Sequence, residues 1–117
     1  MPSDKPLQRL ADILENIDWI IQYTRDFGYQ EFLQDRRTRD AVERCLLRIS
    51  EVARKREGIV DEIVSDQPWS DIRALGNIIR HEYDSVDPAA IWKIIEDDLL
   101  PLENAVKTAI KKLESER

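Results

Sequence analysis

Apolar residues recur every three or four positions from Leu7 onward, through Leu10, Leu14, Ile17 and Ile21, with Ile13 and Ile20 filling the flank. That spacing predicts an amphipathic helix whose apolar stripe faces a core. Pro6 suits its first turn, Ser3 or Asp4 its cap, and Gly28 is the expected stop. A short amphipathic piece follows around Phe32 and Leu33. A second long helix is expected from Thr38, burying Val42, Cys45, Leu46, Ile49, Val52 and Ala53. Gly58 interrupts it, although Ile59, Ile63 and Val64 carry the apolar contact further. Ser65, Asp66, Gln67 and Pro68 form a loop signal, and Trp69 leads into a third long helix ending near Ser85. Asp87 and Pro88 make a cap and first turn for a fourth, with Ile91, Trp92, Ile95 and Leu99 inward. Pro101 should kink or break that helix, because proline removes an internal hydrogen bond. Leu102, Val106, Ile110 and Leu113 then carry a final helical segment. No strand-like alternation or internal repeat appears. The expected fold is all-α, an up-and-down bundle of four to five helices, with residues 1–117 as one domain.

Composition agrees with that picture: 42% hydrophobic, 36% charged, three glycines and five prolines suit a helical protein with short connections. No stretch approaches the roughly 18 apolar residues of a membrane span, and the N-terminus carries no signal-peptide pattern. A lone cysteine, Cys45, can form no internal disulfide, so a reducing, cytoplasmic setting without membrane contact is expected.

The net charge of −6 argues against general affinity for nucleic acid, but it is unevenly spread. Residues 36–56 hold eight Arg or Lys against three Asp or Glu, a net of +5, leaving −11 for the remainder. Arg37, Arg44, Arg48 and Lys55 project to one side of the predicted helix. Such a face is either a solvated exterior or a phosphate-facing surface for RNA.

The chemistry concentrates in residues 73–83. At about 100° per residue, Ile72, Leu75, Ile78, Ile79 and Tyr83 fall on one side of the third helix. Arg73, Asn77, Arg80, His81 and Asp84 fall on the other. One histidine and one cysteine, distant in sequence, make no zinc site, and no spacing fits a calcium loop. Glycine is too scarce for a phosphate-cradling loop, and no cofactor is implied. The acidic run Glu96, Asp97, Asp98 reads as a solvated helix face. What remains is metal-free acid–base chemistry by His81, the one histidine, assisted by arginine. Arginine grips phosphate in a forked, always-charged geometry, and Asn77, one turn before His81, can orient the ring or bind substrate. RNA brings its own nucleophile, the 2′-hydroxyl, so its cleavage needs only a base, an acid and an anion clamp. One histidine per chain hints that two chains pool their groups. The alternative for a lone histidine near a helix end is a structural or dipole-stabilising role.

Several segments, in one order, resemble the HepT-like proteins of the HEPN superfamily, the toxin halves of toxin–antitoxin pairs. They are residues 10–18 with Tyr23 and Thr24; residues 32–35 and 38–44; Pro68 and Trp69; Gly76 and Asn77 through His81, Glu82 and Tyr83; and Val86, Asp87, Ile91 and Trp92. The resemblance implies a HEPN-like bundle that pairs as a homodimer, its motif helices facing across a cleft. It also implies metal-independent endoribonuclease activity on tRNA or mRNA. The implied partner is an MntA-like minimal nucleotidyltransferase antitoxin, which neutralises the toxin by transferring AMP to the motif tyrosine, here Tyr83. The family motif is an arginine, four to six residues, a histidine, any residue and a tyrosine. Gly76 stands at the usual arginine position, with Arg73 one turn before it and Arg80 one turn after, both neighbours on a helix surface. The alternative to a nuclease is a catalytically weakened binding module, a scaffold for a nucleotidyltransferase. A third possibility is a helical protein that binds nucleotide without cleaving RNA. Gly76 costs up to about 1 kcal/mol in a helix interior relative to alanine; a close helix–helix approach there would account for it.

Overall fold

In a computed structural model of the chain, which describes residues 6–54 and 59–116, the first helix, α1 (Pro6–Thr24), buries Leu10, Ile13, Ile17 and Ile20 completely. The side chains of Ile59 and Tyr83 also lie outside the described set, as do Ser3, Asp4, Lys55 and Gly58. The buried stripe of α1 is rotated slightly from the expected one: Ile13 and Ile20 are at its centre, while Leu14 and Ile21 pack at its margin. α1 ends at Thr24, whose hydroxyl donates to the Ile20 carbonyl at 2.8 Å. The chain reverses through Asp26, at φ 67°, so the stop is set by an aspartate in the left-handed region rather than by Gly28. Aspartate tolerates that region better than most residues because its short side chain bonds locally. Gly28 instead precedes α2 (Tyr29–Gln34), its N–H donating to Glu31 Oε1 at 2.8 Å.

The second long helix, α3 (Arg36–Arg54), starts two residues before Thr38. Asp35 supplies the reason: its Oδ1 accepts from the Thr38 N–H at 3.0 Å, the bond of an N-cap. All six expected core residues of α3 are buried, from Val42 to Ala53. α4 (Ile59–Ile63) and the loop at Ser65–Pro68 lead to α5 (Trp69–His81). α5 ends at His81, and a 3-10 turn at Tyr83–Ser85 carries the chain onward, where the pattern predicts helix to Ser85. Asp87 caps α6 (Pro88–Lys93) as expected, its Oδ1 accepting from the Ala89 N–H at 2.9 Å.

Pro101 does not break the last helix. The chain runs on through a π turn at Ile94–Asp98 into α7 (Leu99–Ser115), with the Leu99 N–H reaching back five residues to the Ile94 carbonyl. Pro101 sits in the first turn of α7, where the wider turn ahead of it absorbs the ring and the missing donor. The result is all-α among the described residues. α3 packs against both α1 and α5, α7 closes on α1, and α2 meets α6, where Trp92 lies 5.2 Å from the Phe32 ring centre. Among the described residues, no helix is long and apolar enough to cross a membrane.

Candidate functional site

α5 is fixed at its start by Trp69, 2% exposed, whose indole N–H donates to the Val64 carbonyl at 2.6 Å across the preceding loop. Its middle is fixed by Gly76. There α5 lies so close to α3 that a Cβ on residue 76 would collide with Cβ and Oγ of Ser50. Ser50 is itself fully buried, its hydroxyl bonded back to the Leu47 carbonyl at 2.7 Å. Gly76 therefore has the close-approach role expected of it. The absence of a side chain at 76 is what lets the two helices meet.

The C-terminal turn of α5 brings Asn77, Arg80 and His81 together. Arg80 Nη1 donates to Asn77 Oδ1 at 3.1 Å, and Nη2 meets Glu51 Oε2 on α3. The Arg80 side chain is only 26% exposed, so one guanidinium on the predicted outer face is in fact held between two helices. Glu51 also accepts from Arg54 Nη1 at 3.3 Å. His81, the next residue, is exposed, and among the described residues no hydrogen bond or ion pair engages it. Glu82 closes the helix, its N–H donating to the Ile78 carbonyl at 2.7 Å. Ile78, expected in the core, is 39% exposed beside this turn, because α5 buries a narrow stripe against α3. The Tyr83 backbone stands in the turn that follows, two residues from His81; its side chain lies outside the described set.

Arg73 is placed elsewhere. It precedes Arg80 by seven residues, about 10 Å along the helix, and its fork grips Asp61 of α4 at 2.9 and 3.0 Å. The same Nη1 donates to the Ala53 carbonyl at the end of α3, 3.0 Å away. The Arg73 hydrogen bonds hold the Asp61 carboxyl below its ordinary value, against a smaller opposing effect of burial. A depressed carboxylate contributes stability above its unfolded pKa, and that contribution is lost as pH falls through the lower folded value. Asp61→Asn is therefore expected to lower stability at pH 7 by no more than about 1 kcal/mol, since the pair is part-exposed. The difference from the unmodified protein should shrink in thermal melts as pH falls below the ordinary carboxylate range; a gap that stays undiminished there would contradict the ion-pair account.

The basic stripe is present on α3 as far as the described residues reach: Arg37, Arg44 and Arg48 are exposed, and Lys55 lies outside. Arg48 stands one turn before Glu51, so the stripe runs toward the Arg80 end of α5. Burial raises the Cys45 thiol pKa, against the opposing field of Arg48, which keeps the thiol protonated and unreactive at neutral pH. Sequence reasoning missed Ser50 and Glu51. The available signal was Glu51 as an isolated acid in a basic segment, but its partner on α5 is visible only in the fold.

The model of the family described as "Ribonuclease HepT-like" matches residues 13–109. A protein of Methanocaldococcus jannaschii named "Putative RNase" is 34% identical over 98 residues, covering 84% of this chain and 90% of its own. A second from the same organism, with the same style of name, is 29% identical over 97% of this chain and 98% of its own. "Probable ribonuclease HepT" of Thermococcus cleftensis is 30% identical over 80% of this chain and 86% of its own. No solved structure matches the chain.

Proposed function

This chain belongs to the ribonuclease HepT-like family, and we propose that it is a metal-independent endoribonuclease, the toxin of a type VII-like toxin–antitoxin pair, acting as a homodimer on tRNA or mRNA. The observation that carries this reading is the turn in which Arg80, pinned by Asn77 and Glu51, directly precedes the unengaged His81. The chemistry needs only these groups and the His81 of a second copy. His81 takes the proton of a ribose 2′-hydroxyl, whose oxygen bonds to the adjacent phosphorus while the bond from phosphorus to the 5′-oxygen breaks. The leaving oxygen receives its proton from His81 of a second copy of this chain. Arg80 steadies the charge on the non-bridging oxygens, exchanging its hold on Glu51 for the phosphate, and Asn77 positions the reacting group. The half-exposed Ile78 on the outward side of α5 supports pairing of that helix with a second copy.

Control falls to an MntA-like nucleotidyltransferase antitoxin, which moves AMP from ATP onto the Tyr83 phenol with release of pyrophosphate. The added charge and bulk, two residues from His81, would bar RNA from the site. The test is the product: RNA cut in excess EDTA is expected to carry 2′,3′-cyclic phosphate and 5′-hydroxyl ends, and a 2′-deoxy substitution at the cut position should stop the reaction. Products ending in 3′-hydroxyl would contradict a 2′-hydroxyl nucleophile.

The closure of α3 on α5 at Gly76 supports a second reading, since it leaves no room for an arginine at the family's usual position. In that reading the bundle is a scaffold for the nucleotidyltransferase, and unmodified protein cuts no RNA.

A further inference from the structure

Beside the Arg80 turn, α1 and α3 enclose a depression of about 300 Å³ whose lining includes Asn16, Arg44, Leu47, Arg48 and Glu51. Asn16 is 7% exposed. Its amide nitrogen donates to the Asp12 carbonyl at 2.9 Å, but its Oδ1 is buried with no partner among the described residues. Buried side-chain acceptors are ordinarily satisfied, so an unpartnered one on a residue that lines a depression marks a place for a donor. The two guanidiniums point to what brings that donor. Arg44 and Arg48 are exposed, one turn apart, and make no ion pair among the described residues. Two acids share the lining: Glu51 is paired with Arg80 and Arg54, and Asp12 accepts from Gln8 Nε2 at 2.9 Å through Oδ1. Two forked cations, an apolar patch at Leu47 and Val52, and a buried acceptor together match the phosphate, face and polar edge of a nucleotide.

We propose that this depression is a second nucleotide subsite, binding one phosphate group of an RNA strand on Arg44 and Arg48 and the exocyclic amine of a base on Asn16 Oδ1. The proposal rests on RNA being the substrate, and it gives the basic stripe a destination. Arg48 lies one turn from Glu51 and Arg44 about 10 Å from it along α3, so a strand cut beside His81 reaches the subsite within a few nucleotides. The base held there sets a sequence preference at a fixed distance from the cut, because an amine satisfies the open carbonyl and a uracil O4 does not.

The test is binding of fluorescent 2′-O-methyl oligonucleotides, which lack the nucleophile and stay intact. Wild-type protein is expected to bind oligocytidylate about tenfold more tightly than oligouridylate. Asn16→Leu, which keeps the volume of the side chain and removes the acceptor, should erase that preference without changing the salt dependence. Arg44→Ala with Arg48→Ala should weaken both probes and flatten the slope of log affinity on log salt by about 0.7, the value for one phosphate contact to a single strand. Circular dichroism confirms that each variant folds. Equal affinity and slope in the double arginine variant, with wild-type binding intact, overturns the subsite and leaves the nuclease reading standing. A cytidine preference that survives Asn16→Leu removes Asn16 from it. Failure of the wild type to bind either probe overturns the RNA reading and the subsite together.

Discussion

Placing arginine at position 76 is expected to destabilise the bundle by more than about 3 kcal/mol rather than to strengthen the nuclease. The motif expected from the resemblance makes this the obvious restoring substitution, but the geometry opposes it. A Cβ alone would strike Ser50, which is fully buried and tied to its own helix, so the side chain cannot swing aside into solvent. A guanidinium beyond that Cβ would push α5 off α3 and bring an unpaired charge into the contact. Gly76→Ala isolates the first part: overpacking costs about 1–3 kcal/mol, less the ~1 kcal/mol that alanine gains over glycine in a helix. Ser50→Gly should relieve it, so the pair is expected to show a favourable coupling in a urea-denaturation double-mutant cycle. A Gly76→Arg protein as stable as the unmodified one would show that the helices do not meet as described.

The second large effect concerns which arginine serves the reaction. Arg80→Ala is expected to lower kcat by about 100-fold or more, the usual loss when a donor to developing charge is removed, well beyond the modest stability lost with its part-exposed Glu51 contact. Arg73→Ala should act on stability alone. It removes the clamp between α4, α5 and the end of α3, so stability falls while kcat holds near its original value. A kcat loss confined to Arg73→Ala would transfer the catalytic role to the earlier arginine and contradict the placement argued above.

These two cases show where the sequence is informative. The helical stripes of α1 and α3, the loop before Trp69 and the Asp87 cap could all be read from the chain, because each is a local pattern of spacing and capping. Gly76 could be read too: a glycine inside an apolar helix has few uses besides close approach. The π turn at Ile94–Asp98 could not, since one wider turn leaves no signature when the proline it accommodates lies three residues downstream. Nor could the different partners of Arg73 and Arg80. Both sit on the same predicted face, and what separates them is Asp61 and Glu51, acids on two other helices. The open carbonyl of Asn16 is equally silent in sequence, where it counts only as a polar residue within an apolar stripe.

The most direct measurement is cleavage of total RNA and tRNA by the purified, unmodified protein in excess EDTA, with His81→Ala in parallel and intact mass confirming that no AMP is attached. The account predicts metal-free cleavage by the unmodified protein and a loss of at least ~100-fold in the variant, the contribution of a positioned general acid–base group. Cleavage that persists at full rate in His81→Ala would contradict it.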